Sequence, residues 1–164
     1  MYQLLDPSRF VVFITGATSG FGAAAARRYV AAGGKVIATG RRWDRLVDLQ
    51  IDLGSENCHI VALDVQDRAA IDAAIADLPP PFAGINIVLA NAGLALGTAP
   101  AQDCSLADWQ TMIATNVSGL AAITHKLLPR LIARKGAIIN LSSIAANWPY
   151  PGGNVYGATK AFVQ

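Results

Sequence analysis

At 164 residues, with 53% apolar and 15% charged types, the chain has the length of one domain and can bury a single core. A net charge of +2 is too small to suggest a nucleic-acid surface or a polybasic membrane patch, so the expected partner is a small molecule, with no nucleic acid and no membrane. No apolar run reaches the length of a membrane span, and the opening MYQLLDPSRF lacks the charged-then-apolar order of a secretion signal. Cys58 and Cys104 stand far apart without a CxxC, and read as free thiols of a reducing compartment; the protein is expected in the cytoplasm. His59 and His125 have no neighbours at ligand spacing, and no metal is expected.

In chain order, five short β-rich runs alternate with segments of helical period. The runs are RFVVFITG (9–16), KVIATG (35–40), HIVALDV (59–65), INIVLANAG (85–93) and GAIINLSS (136–143). Their near-continuous hydrophobicity predicts strands covered on both faces, as in a parallel sheet with crossover helices. FGAAAARRYVAAGG and RRWDRLVDLQIDLG end in glycine, and DRAAIDAAIADL stops at Pro79, Pro80 and Pro81. The longest helix is predicted to begin at Ser105, with Asp108 in a capping-box-like place, and to be bent or broken at Pro129. No repeat or linker interrupts the pattern. The fold class is α/β, a doubly wound Rossmann-type parallel sheet, with ligands expected at the carboxyl ends of its strands.

The first strand end carries TGATSGFG (15–22). Glycines at 16, 20 and 22 let the backbone turn sharply and approach a phosphate, and the following helix offers it free N–H groups. Gly20, Gly22 and Ala25 also satisfy the looser G-x-G-x-x-A form. A nucleoside-triphosphate P-loop is disfavoured by the lack of a Lys-Ser ending, and a serine hydrolase by the lack of G-x-S-x-G.

At the second strand end an acidic residue would accept from the ribose hydroxyls of NAD. Here Gly40 is followed by Arg41 and Arg42, which suit the 2′-phosphate of NADP; alternatively the arginines open a solvated helix, and the glycine loop nearby favours the first reading. On the third strand Asp64 either accepts from an adenine amino group or starts a helix.

In NVYGATK, Tyr156 and Lys160 stand at i and i+4 and share a face if the segment is helical. An ammonium beside a phenol favours the phenolate, which makes such a pair a general acid/base. Ser143, at the end of the fifth run, is placed to hold a substrate oxygen beside the phenol, with Ser142 as a competing candidate.

TGxxxGxG at 15–22, Asp64, Asn91-Ala92-Gly93, Asn116, Ser143 and YxxxK at 156–160 occur together in one order. In this set the sequence resembles the short-chain dehydrogenase/reductase family over essentially its whole length. The resemblance implies that Tyr156 is the catalytic acid/base, that Lys160 favours its phenolate and binds the nicotinamide ribose, that Ser143 orients the reacting carbonyl or hydroxyl, and that Asn116 supports a water-linked proton relay. It implies cofactor contacts from Gly16, Thr18, Ser19, Gly20, Phe21, Gly22, Arg41, Arg42, Asp64, Val65, Asn91, Ala92, Gly93, Tyr156 and Lys160. Ala90 stands where the family often has a first Asn.

TGATSGFG, VIATGRR, NAGLALG and NWPYPGGNVYGATKAFV look more narrowly like the NADP-dependent 3-hydroxy acid dehydrogenases of the serine 3-dehydrogenase type. The implied reaction is hydride transfer between a short 3-hydroxy acid and NADP, with Trp148 and Tyr150 as plausible pocket walls, in a homo-oligomer, a tetramer when full length. Members of the family run to about 250 residues, and KAFVQ carries no helix C-cap. Residues 1–164 are therefore expected to form a single dinucleotide-binding domain, truncated after the fifth predicted strand and lacking its substrate-covering part. Two readings stay open: an oxidoreductase whose remaining third lies elsewhere, or a truncated NADP binder without turnover. A nucleotide-binding structural domain with an incidental YxxxK is the third.

Overall fold

The computed structural model describes residues 6–164, so the first five residues of the opening segment, read above for a secretion signal, lie outside the described part. The strands are β1 (Val11–Ile14), β2 (Lys35–Gly40), β3 (Cys58–Ala62), β4 (Ile87–Ala90) and β5 (Ala137–Asn140). They form one parallel sheet in the order β3-β2-β1-β4-β5, with Val12 in register with both Val36 and Ile87. The helices are α1 (Gly20–Ala31), α2 (Trp43–Leu53), α3 (Arg68–Ala76), α4 (Leu106–Ile113), α5 (Leu120–Arg134) and α6 (Asn154–Val163).

Alternation along each strand divides the core in two. Val12, Ile14, Val36 and Ala38 pack with Ala26, Leu46 and Leu49 of α1 and α2. Phe13, Ile37 and Val88 face the other way, onto Ile71 and Ile75 of α3 and Ile123, Leu127 and Leu131 of α5. Burial on both faces explains why the inner strands read as unbroken apolar runs. The order reverses between β1 and β4, which opens a crevice above their carboxyl ends.

Helix ends follow local chemistry. Gly54, with φ +81°, closes α2, and the Asp67 carboxylate caps α3 by accepting from the Ala70 N–H at 3.0 Å. Three expectations are corrected. The Ser105 hydroxyl makes no cap hydrogen bond at the start of α4, so the capping box is not formed. Pro129 neither breaks nor ends α5: it lies on the exposed side, where the carbonyl it leaves without a donor meets water. Between α4 and α5 the helix widens into a π-helical segment, Ala114–Gly119, with no sequence signal. All four residues of β5 are exposed, so this edge strand is not covered on both faces within residues 6–164.

Candidate active site

The glycine loop is laced to the end of β4. The Thr15 hydroxyl accepts from the N–H groups of Asn91 (3.0 Å) and Ala92 (2.9 Å), and the Asn91 amide donates to the carbonyls of Thr15 (2.9 Å) and Gly16 (3.0 Å). Gly22 sits behind this lacing, where a Cβ would collide with the Gly16 carbonyl and stand 2.6 Å from the Asn91 amide nitrogen. Its role is close packing of α1 on the loop. Gly20 is the opposite case: φ is +54° and a Cβ would meet nothing within 4 Å, so the backbone is turned toward open space at the start of α1. That combination suits an anion held against helix N–H groups.

Arg42 occupies the N-cap position of α2, yet its guanidinium turns back to the loop. It donates to the Thr18 hydroxyl at 2.7 and 3.2 Å and to the Ser19 hydroxyl at 2.7 Å. Arg41 reaches Asp64 across 3.9 Å, with both side chains largely exposed. Asp64 accepts from the Gln66 N–H at 3.0 Å, and the helix cap is Asp67, so Asp64 shapes a turn beside the crevice and does not start α3.

These groups line one cavity of about 450 Å³. Of the predicted cofactor residues, Gly16, Thr18, Ser19, Gly20, Phe21, Arg41, Arg42, Asp64, Val65, Asn91, Ala92 and Gly93 face it, whereas Gly22, Tyr156 and Lys160 are not in its wall. Leu63, Leu94, Thr115 and Leu141 also line it and were missed, because a lone apolar or threonine side chain next to a motif carries no signature. Position was the available clue: Thr115 precedes Asn116, and Leu94 follows Gly93.

The second half of the site gathers around Gly93, where a Cβ would lie 3.2 Å from the Lys160 ammonium and 3.3 Å from the Asn116 oxygen. Glycine there allows both to approach. Asn116 is 1% exposed, in the π-helical segment; its oxygen accepts from the Leu94 N–H at 2.9 Å, and its nitrogen donates to the Leu94 carbonyl at 2.9 Å and the Thr159 hydroxyl at 3.0 Å. The side chain therefore acts as a strut between the loop after β4 and α6.

Lys160, 5% exposed, donates to the Leu141 carbonyl at 2.8 Å, and its ammonium lies 5.9 Å from the centre of the Tyr156 ring. The two share a face of α6, as their spacing predicts. Burial pushes the Lys160 ammonium below the usual lysine range. Ser143 and Ser142 point to different tasks. The Ser143 hydroxyl accepts from the Ala145 N–H at 3.2 Å at the start of a short 3₁₀ turn, while Ser142 donates to the Lys160 carbonyl at 3.2 Å. Tyr150 lies against Gly153, and Trp148 is 70% exposed. His59 packs on Phe82 with ring centres 5.5 Å apart, and Cys58 is buried, its thiol pushed up to about 11 by desolvation.

Residues 10–164 match the short chain dehydrogenase family. The chain belongs to that family. Serine 3-dehydrogenase of Rhizobium radiobacter is 59% identical over 153 residues, which are 93% of this chain and 61% of the relative. The NADP-dependent 3-hydroxy acid dehydrogenase of Escherichia coli K12 is 53% identical over 155 residues, covering 94% and 62%. A closed form of serine dehydrogenase complexed with NADP+ superposes with a TM-score of 0.91 at 52% identity, over 94% of this chain and 62% of that one. The short chain dehydrogenase described here thus spans about 61% of the length of the curated relatives it matches. Among the described residues no helix is long and apolar enough to cross a membrane.

Proposed function

We propose that this short chain dehydrogenase is an NADP-dependent oxidoreductase acting on a short 3-hydroxy acid, serine-like in size, or a related alcohol or carbonyl. The observation that carries the reading is a Tyr156–Lys160 pair on one helix face, with the Lys160 ammonium beside Gly93 in the wall of the strand-end cavity. Open backbone at Gly20, hydroxyls at Thr18 and Ser19, and two guanidinium groups at the rim fit a cofactor carrying several phosphates. In this reading Arg41 and Arg42 meet the 2′-phosphate, Asp64 and Val65 flank the adenine, Asn91, Ala92 and Gly93 line the wall beside the ribose, and Lys160 reaches the nicotinamide ribose. NADP supplies the hydride acceptor, or the donor in the reverse direction.

The proton is handled by the chain itself. Tyr156 exchanges the proton of the substrate hydroxyl, Lys160 favours the phenolate while that proton is away, and Ser143 orients the reacting oxygen. Asn116 keeps Lys160 and Thr159 registered on the cleft. The cytoplasm suits the two free cysteines, and a homo-oligomer, a tetramer at full length, is what resemblance to the family implies.

A second reading rests on the bare β5 strand: residues 1–164 are one dinucleotide-binding domain, which alone binds NADP without turning substrate over. NADPH formation, followed by absorbance with serine and other short 3-hydroxy acids, tests the main reading in the intact protein. We expect acid-dependent reduction of NADP well above that of NAD; NADP binding without reduction by any of these acids overturns the main reading.

A further inference from the structure

The helix that carries Tyr156 starts in an unusual backbone conformation. Asn154, its first residue, has φ +40°; among the described residues Lys135 is the other non-glycine with positive φ, and Lys135 closes α5 as a left-handed cap. Asn154 ends no helix. Its side chain crosses instead to a distant loop, where its nitrogen donates to the Ala99 carbonyl at 3.0 Å and to the Cys104 sulfur at 3.0 Å. The Cys104 thiol donates to the same carbonyl at 3.3 Å. Just upstream, Gly152 at φ +79° presses on the same loop, since a Cβ there would stand 2.5 Å from the Thr98 oxygen.

The loop clasped in this way leaves the cleft directly after Gly93. Asn116 ties its root through both backbone groups of Leu94, and the Leu96 N–H donates to the Met112 sulfur at 3.4 Å. Helix α6 is therefore fixed at two points. Deep in the fold, Thr159 and Lys160 are held by Asn116 and the Leu141 carbonyl. At its start, Asn154 is held by Ala99 and Cys104. Tyr156 lies between the two, two residues beyond the outer clasp, so the outer clasp decides where its ring stands relative to Lys160 and the cleft.

Resting on the reading of Tyr156 as acid/base, we propose that Asn154 is a positioning residue for Tyr156, acting through its amide clasp on Ala99 and Cys104. Asparagine suits both demands: it tolerates left-handed backbone, and its amide supplies two donors to two acceptors. A misplacement of about 1 Å at the reacting groups is enough to cost ~10²-fold in rate.

The test uses the intact protein with NADP and serine. Asn154→Gly keeps the left-handed backbone and removes the clasp; kcat should fall about 10- to 100-fold while NADP affinity stays within about twofold. The loss should fall on kcat, with KM for serine within about twofold, because a displaced phenol leaves the substrate bound but out of line for proton exchange. Cys104→Ser retains an acceptor and should stay near the unmodified protein, whereas Cys104→Val should repeat the Asn154→Gly pattern more weakly. If Asn154→Gly no longer binds NADP, the Cys104 pair, which leaves the α6 backbone untouched, decides the question. Unchanged kcat, or a loss in kcat/KM carried by KM alone, overturns the proposal. Tyr156→Phe, run in parallel, separates the two ideas: full turnover in that variant defeats the acid/base reading itself, while an inactive Tyr156→Phe beside an active Asn154→Gly defeats only the positioning role.

Discussion

Burial of the Lys160 ammonium works against folding at neutral pH. Its folded pKa is lowered below the unfolded value by desolvation, so below the folded pKa the lysine is charged in both states and the cost of burying the charge is fully present; as pH rises through the folded pKa toward the usual lysine value, the cost is relieved. Lys160→Met should therefore raise the thermal midpoint at pH 7 by about 2–4 °C, lose turnover by ~10²-fold or more, and show a shrinking advantage as pH rises. Scanning calorimetry from neutral to alkaline pH checks the sign; a midpoint that falls at pH 7 contradicts it. Arg41 offers a cleaner test of cofactor choice, because Arg42 is held by Thr18 and Ser19 whereas Arg41, among the described residues, makes only the 3.9 Å contact with Asp64. Arg41→Asp should weaken NADP by about 10- to 100-fold and leave NAD within about twofold, as fluorescence titrations would read. The spacing of Tyr156 and Lys160 was legible in the sequence because helical period alone brings i and i+4 together. The separate tasks of Ser142 and Ser143 were not, since adjacent residues differ only in where tertiary contacts turn them.

The long helix shows what sequence period leaves out. Apolar spacing located it, but the π-helical widening at Ala114–Gly119 arises from tertiary demands: Asn116 must turn inward to meet Leu94 and Thr159. Removing the strut should be costly at the level of elements, because it leaves both half-buried backbone groups of Leu94 without their partner and the buried Thr159 hydroxyl with the Tyr156 carbonyl alone. Asn116→Ala should destabilise the protein by about 2–4 kcal/mol in urea unfolding. A change below about 0.5 kcal/mol would show that the loop after β4 and α6 are joined by other contacts. A bend or break is expected at Pro129 because its ring denies the helix a donor; on the exposed side of α5 the freed carbonyl is open to solvent and the helix runs on. Strands β1, β2 and β4 were legible for the opposite reason, since burial on both faces leaves an unbroken apolar run that no local contact can disguise.

On the scale of the molecule, the sheet order places the strand-end cavity within residues 6–164 while leaving β5 exposed, with Ile138 and Ile139 at 36% and 43% exposure. A protein consisting of these 164 residues alone should bind NADP weakly, show negligible serine-dependent reduction of it, and tend to aggregate; a version extended to the relatives' length should turn over. Equal turnover by both would mean that the cleft needs no further cover. The doubly wound order was readable from the alternation of runs, and the glycine loop from its spacing, but the lacing of Thr15 to Asn91 joins residues too distant in sequence for any motif to announce. The most direct test of the whole account is steady-state NADPH formation from serine by the intact protein and its Tyr156→Phe variant, with NADP affinity measured on both. The account predicts unchanged NADP affinity and a loss of kcat of about 10²-fold or more in the variant; a kcat within about twofold of the unmodified protein would contradict it.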